Sequence, residues 1–182
     1  MIARVAFAVF FALYPFVVWL CINRGEPVWI AVLLSAAAIL QACTKKTTMT
    51  LVTAIVALVL AAATAFAESF LPVKFYPVVM NAAWLAFFAG SLASVPACER
   101  FARLRYPDLP DFAVQYCRKA TVAWCLFFFA NGLIAADSAL FRSHDWWALY
   151  NGLISYGLIG LMFALEYCVR LIAEKRHQGQ RK

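Results

Sequence analysis

Apolar runs of membrane-spanning length dominate the chain, and its charges and prolines gather in the breaks between them. An α-helix needs about 20 predominantly apolar residues to cross a hydrocarbon core of about 30 Å. Within that core the backbone must satisfy its own hydrogen bonds, which favours helices. Six runs qualify: 2–22, 27–43, 47–67, 73–95, 119–140 and 146–169. The second is short, and Pro15 lies inside the first, where a kink is expected. The other prolines (Pro27, Pro72, Pro77, Pro96, Pro107 and Pro110) fall at segment edges or in connections, where a missing amide proton costs little. Of 182 residues, 65% are hydrophobic and 14% charged, whereas soluble domains are about half apolar and a quarter charged. The expected fold class is all-α: a polytopic membrane helix bundle with six transmembrane helices. Residues 1–172 would form one membrane domain and 173–182 a basic cytoplasmic tail. This balance argues against a water-soluble enzyme and rules out a disordered tail, a collagen-like fibre and a disulfide-stapled secreted module.

The basic residues supply an independent test. With the N-terminus in the cytoplasm, the inner side holds Arg4, Lys45, Lys46, Arg100, Arg103, Arg105, Arg118, Lys119, Arg170, Lys175, Arg176, Arg181 and Lys182. Only Arg24, Lys74 and Arg142 fall outside. The positive-inside rule predicts such a split, with both termini cytoplasmic and the chain multi-pass in an inner membrane. Trp19, Trp29, Trp146 and Trp147 then lie near the outer boundary, where indole rings favour the headgroup level. Trp84 and Trp124 lie deeper and are expected to pack. The first run is too long for an ordinary signal peptide and no small-x-small cleavage site follows it, so a retained helix is expected.

Six cysteines occur: Cys21, Cys43, Cys98, Cys117, Cys125 and Cys168. Only Cys21 approaches the oxidising side, so an external disulfide would lack its second thiol. No C-x-x-C spacing is present, and neither His144 nor His177 accompanies the cysteines. Small buried thiols are the plain expectation, with no metal and no cofactor. Nucleotide-binding loops, a nucleophile elbow and H-E-x-x-H are also missing from the sequence. No catalytic residues emerge and an enzyme is not expected.

Polar residues at membrane depth are costly, so each calls for a partner or a purpose. Asn81, Asn131 and Asn151 fall in the outer parts of spans four, five and six, and Glu68 and Asp137 lie slightly further out. Two readings stay open for this layer. The amides could bond between helices, at about 0.6–2 kcal/mol each, or they could line a pocket open to the outer face. Small residues at four-residue spacing suggest close helix approach: Thr53, Ala57, Ala61 and Ala65 on span three, and Ala82, Ala86, Gly90 and Ser94 on span four. Gly157, Gly160 and Ala164 suggest the same for span six.

The longest connection runs from Pro96 to Asp111. At 100° per residue, Ala97, Phe101 and Leu104 share a face opposite Glu99 and Arg103, which fits a short interfacial helix between spans four and five. Arg100, Arg103, Arg105, Arg118 and Lys119 would form a basic rim. That rim could set topology and attract anionic lipid headgroups, or it could dock an acidic cytoplasmic protein. Glu166 and Arg170, one helical turn apart, suit a local ion pair.

The segments Lys74-Phe-Tyr-Pro-Val-Val-Met-Asn81, Phe87-Phe88-Ala-Gly-Ser-Leu92, Pro96-Ala-Cys-Glu99-Arg100-Phe-Ala-Arg103 and Pro107-Asp-Leu-Pro110 carry a resemblance, continued by Arg118, Thr121, Trp124, Phe127-Phe128 and Asn131. Over roughly residues 70–170 the chain resembles uncharacterised bacterial inner-membrane proteins encoded beside fatty-acid-synthase-like clusters that make aryl polyene lipids, some of which carry a stray gyrase label. More distantly, its span layout and Trp-x-x-Phe-Phe segment look like the intracellular septation protein A family. The resemblance implies an inner-membrane location and a supporting role in envelope lipid assembly or envelope maintenance. It brings no catalytic residues. The expected function is a non-catalytic platform whose partners are membrane lipids and acidic cytoplasmic acyl-synthesis proteins, with no nucleic acid. The alternative is a carrier or exporter that moves a lipid-linked or acyl product across the inner membrane.

Overall fold

The computed structural model describes residues 19–20, 55–56, 58–60, 62–64, 66 and 70–179, with backbone only over 174–179. The expected spans at 2–22, 27–43 and 47–67 lie largely outside the described residues, as do Pro15, Cys21, Cys43, Glu68 and most basic residues of the N-terminal half. Among the described residues every regular element is helical. They are α1 (Leu71–Lys74), α2 (Tyr76–Ser91), α3 (Ala97–Arg103), α4 (Asp111–Phe141), α5 (His144–Leu149), a π-helical turn (Tyr150–Ile154) and α6 (Ser155–Gly179). Three continuous stretches are long and apolar enough to cross a membrane: Leu71–Ser91, Asp111–Phe141 and His144–Ala173. They coincide with the fourth, fifth and sixth expected spans. The chain is thus a helical protein with the makings of a membrane protein.

Each boundary has a local cause. Pro72 in the first turn of α1 suits helix initiation, where no amide proton is needed. The chain is therefore already helical at Leu71, two residues before the expected fourth span begins. α2 stops at Ser91, short of the expected end at residue 95. The Ser91 hydroxyl donates to the Phe88 carbonyl at 2.6 Å and accepts the Ala97 amide at 2.8 Å, turning the chain into α3. In α3, Glu99 occupies the first turn and Arg100 and Arg103 the last, each sign complementing the helix dipole. α4 begins two turns before the expected start at Lys119, because the Pro110 carbonyl accepts the Ala113 and Val114 amides. α5 starts at an N-cap serine whose Oγ accepts the Trp146 amide at 3.2 Å.

At the π turn, Asn151 Nδ2 donates to the Trp147 carbonyl at 2.9 Å, an acceptor that also receives the Tyr150 amide. The Ser155 amide reaches back five residues to the Tyr150 carbonyl.

The small-residue stripes do not behave as expected. Ala82, Ala86, Gly90, Gly157, Gly160 and Ala164 are exposed, and a Cβ added at Gly90, Gly157 or Gly160 would meet nothing within 4 Å. Among the described residues, these faces pack against no neighbouring helix. The stripe at Thr53, Ala57, Ala61 and Ala65 lies outside the described residues.

By internal contact the chain divides into two compact units, Met1–Met80 with Gly132–Ser155, and Asn81–Asn131 with Tyr156–Lys182.

Candidate functional site: an aromatic cavity with a basic rim

The second unit gathers the aromatic residues of four helices. On α2, Trp84 stacks with Phe128 of α4 (ring centroids 6.1 Å apart, planes 17° apart), and Phe88 meets the same ring edge-on at 5.3 Å. On α4, Trp124 packs against Phe163 of α6 at 4.8 Å. Phe101 of α3 closes on Phe88 at 6.4 Å. All fall in the range where aromatic pairs add about 0.5–1.5 kcal/mol beyond simple burial. Trp84 and Trp124 therefore pack, as their depth in the sequence suggests.

Beside this cluster lies a cavity of about 870 Å³, lined mainly by apolar and aromatic side chains. Its charged lining residues are Arg105, Glu166 and Arg170. The Glu166 carboxylate accepts the Trp124 indole N–H at 2.8 Å, and its backbone carbonyl accepts the Tyr116 hydroxyl at 2.7 Å. Glu166 thus ties α6 to α4 twice. The Arg170 guanidinium lies 5.6 Å from the centre of the Tyr167 ring. The Glu166 carboxylate, which lies one helical turn before Arg170 in the sequence, receives the indole N–H of Trp124 across the interface between α4 and α6.

The basic rim is less uniform than the sequence suggests. Arg103 pairs with Glu99 at 2.8 Å and donates to the Pro107 carbonyl at 2.9 Å. Arg100 donates to the Val95 carbonyl at 2.8 Å and to Ser94 Oγ at 3.0 Å. Both hold the connection in shape. Arg105, Arg118 and Lys119 are exposed, and among the described residues no hydrogen bond or ion pair engages their side chains. Beneath them, the Cys98 amide donates to Thr121 Oγ1 at 3.2 Å. Burial pushes the Cys98 thiol from 9.0 up to about 11, against a lowering hydrogen bond from Thr121. It is a protonated structural thiol rather than a poised nucleophile.

The candidate polar layer distributes over both units. In the second unit, Asn131 donates to Asn81 Oδ1 at 3.0 Å, an amide pair joining α4 to α2. In the first, Asn151 donates to Ser138 Oγ at 3.0 Å as well as to the Trp147 carbonyl. Asp137 pairs with Arg142 at 2.9 Å. Glu68 lies outside the described residues. Among the described residues no three His, Cys, Asp or Glu side chains gather as a metal site.

Three features of the first unit escape sequence reading. Lys74 is only 5% exposed, donates to the Ala139 carbonyl at 3.4 Å, and accepts the Trp147 indole N–H on its own carbonyl at 3.1 Å. Ser138, fully buried, supplies the hydroxyl that receives Asn151. Trp19 donates to Asp145 at 2.6 Å across 126 positions of sequence. No periodicity announces such long-range partners. Set against protein-family models, curated proteins and solved structures, the chain matches none.

Proposed function

We propose that the chain is a non-catalytic platform of the bacterial inner membrane that serves envelope lipid assembly or envelope maintenance. In this reading it crosses the membrane six times with both termini in the cytoplasm. α3 lies in the inner interface, and the basic rim recruits acidic acyl-synthesis proteins from the cytoplasm. The observation that carries it is the division of labour among the arginines. Arg100 and Arg103 are occupied within the fold, whereas Arg105, Arg118 and Lys119 stay exposed and unengaged among the described residues. Holding unpaired charge beside apolar helices brings the fold no internal gain, so it is available to a partner of opposite sign.

The test is binding of a purified acidic acyl-carrier-type protein to the full chain in nanodiscs of zwitterionic lipid. Expected are saturable binding that weakens with salt, and its loss when Arg105, Arg118 and Lys119 are all changed to Glu. Absence of binding at low salt, or binding indifferent to the triple reversal, rejects the platform. Arg100 and Arg103 are left intact, since their substitution would disturb the connection itself.

A further inference from the structure

The docking rim makes no use of the cavity in the second unit. That cavity follows two of the helices long and apolar enough to cross a membrane, its lining running from Ala113 to Phe128 on α4 and from Ile159 to Ala173 on α6. The volume falls within the range of about 300–1,000 Å³ typical of small-molecule sites. Glu166 sits midway along the α6 lining and is the single acid in it. One oxygen of its carboxylate accepts the Trp124 indole N–H at 2.8 Å, and among the described residues no donor reaches the other. A carboxylate oxygen left without a donor in an apolar wall is costly. Water or a ligand must donate to it.

Charge and shape narrow the choice. Arg105 and Arg170 also line the cavity but are exposed, and Arg170 is engaged with the Tyr167 ring and elsewhere in the chain. An anionic head would face the Glu166 carboxylate, and a cationic head would share the cavity with guanidinium groups. A neutral head meets neither repulsion. From Glu166 toward Ile159 the α6 wall is apolar for about 10 Å, past Phe163, and Trp84 and Phe128 line the cavity as a stacked pair. An apolar stretch beside a single unfilled acceptor suits a hydrocarbon chain that carries one hydroxyl.

We propose that this cavity binds a neutral lipid alcohol, its hydroxyl donating to the second Glu166 oxygen and its chain lying among Trp84, Phe128, Ile159 and Phe163. A hydroxyl donating to a carboxylate forms a charge-assisted hydrogen bond, stronger than one between neutral groups. Trp124 is then a positioning residue, since its N–H holds the carboxylate that the ligand meets. Such an alcohol partitions into the bilayer, so it reaches a cavity along spanning helices without crossing water.

Trp84 and Trp124 line the site and report occupancy by quenching. The experiment titrates the full chain in detergent with dibromostearyl alcohol, its methyl ether, and the matching carboxylic acid and primary amine. Expected is saturable quenching by the alcohol, with the ether, which has no proton to donate, binding about tenfold more weakly, the equivalent of one hydrogen bond to a charged acceptor. The acid and the amine should both bind more weakly than the alcohol. Glu166→Gln keeps a carbonyl oxygen for the Trp124 N–H and turns an amide N–H₂ toward the ligand, which serves alcohol and ether alike. The advantage of the alcohol should therefore shrink to within about twofold. Ile159→Phe fills the apolar stretch and should weaken the alcohol and the ether together while the helical circular dichroism signal is retained. Quenching that never saturates overturns the proposal, since water alone then serves Glu166. So do equal binding of alcohol and ether, acid or amine binding as tight as the alcohol, and an alcohol advantage that survives Glu166→Gln. The comparison of the four ligands on the parent chain decides the matter even if a variant fails to fold. None of these readouts depends on a protein partner, so this site and the platform can fail separately.

Discussion

The two units solve the problem of a helical interior in opposite ways. The first, around Lys74, Ser138, Trp147 and Asn151, buries polar atoms and connects them: an indole to a carbonyl, an amide to a hydroxyl, an ammonium to a carbonyl. The second stacks aromatic rings and leaves space beside them. In lipid, dispersion and hydrogen bonding must do the work that water-driven burial does elsewhere. Directional bonds fix geometry and tolerate little, whereas ring stacks tolerate a void. The contrast teaches that the polar region locks the geometry of the first unit, whereas the aromatic region of the second leaves a cavity beside it.

The largest effect should come from removing the centre of that lock. Trp147 is fully buried and its N–H is spent on the Lys74 carbonyl. Trp147→Ala should destabilise by about 3–5 kcal/mol, the usual range for a buried tryptophan, read as thermal or denaturant unfolding in detergent. Trp124→Phe keeps a ring in the stack and should cost clearly less. Equal losses in the two variants would erase the distinction between the units.

The amide pairs come next. Asn131→Leu should cost about 0.6–2 kcal/mol, and a double-mutant cycle with Asn81→Leu should return a coupling of at least about 0.5 kcal/mol. In the first unit the matching cycle joins Asn151→Leu to Ser138→Ala. Zero coupling in both cycles would mean that these amides serve a ligand rather than each other.

A smaller contrast separates the arginines. Arg100→Ala removes bonds to Val95 and Ser94 and should cost about 0.5–1.5 kcal/mol. Arg105→Ala breaks no bond within the described fold and should leave stability unchanged within about 0.5 kcal/mol, while weakening capture of the acidic partner proposed above. A stability loss at Arg105 matching that at Arg100 would mean that both are structural.

Much of this was legible in the sequence at the level of elements and little at the level of partners. Apolar runs and prolines locate the spans at 73–95, 119–140 and 146–169 to within a turn or two, because span length is set by the bilayer and helix starts by proline and serine. The Glu99–Arg103 pair is local and follows from i,i+4 spacing. Asn81 and Asn131 are recognisable as polar atoms in need of a partner, yet nothing in their spacing names each other. Lys74 and Glu166 have long-range partners that the sequence does not name, for a shared reason. Each has a charged side chain whose local neighbours suggest an exposed end or an i,i+4 pair, whereas each bonds a group more than forty positions away. The small-residue stripes were legible as pattern but not as contact, since a stripe identifies a smooth face without saying what covers it.

The smallest effect at neutral pH concerns Cys98, and it tests whether the base of the rim is as closed as the geometry indicates. Burial raises this thiol from 9.0 to about 11, so the fold holds the proton more tightly than the unfolded chain does. The associated stability is fully present below pH 9 and is lost as pH rises from there toward 11. Near pH 7 a Cys98→Ala variant should therefore show the same slope of stability with pH as the parent, and between pH 9 and 11 the parent alone should lose the Cys98 share. Alkylation gives the same answer kinetically, because the thiolate is the reactive form. With Cys98 as the single remaining cysteine, its maleimide rate should still be climbing close to tenfold per pH unit at pH 9 and level off only near 11. A plateau already at pH 9 would mean that water reaches the thiol freely, and the contact between α3 and Thr121 could not then be the tight seam that supports the arginines above it.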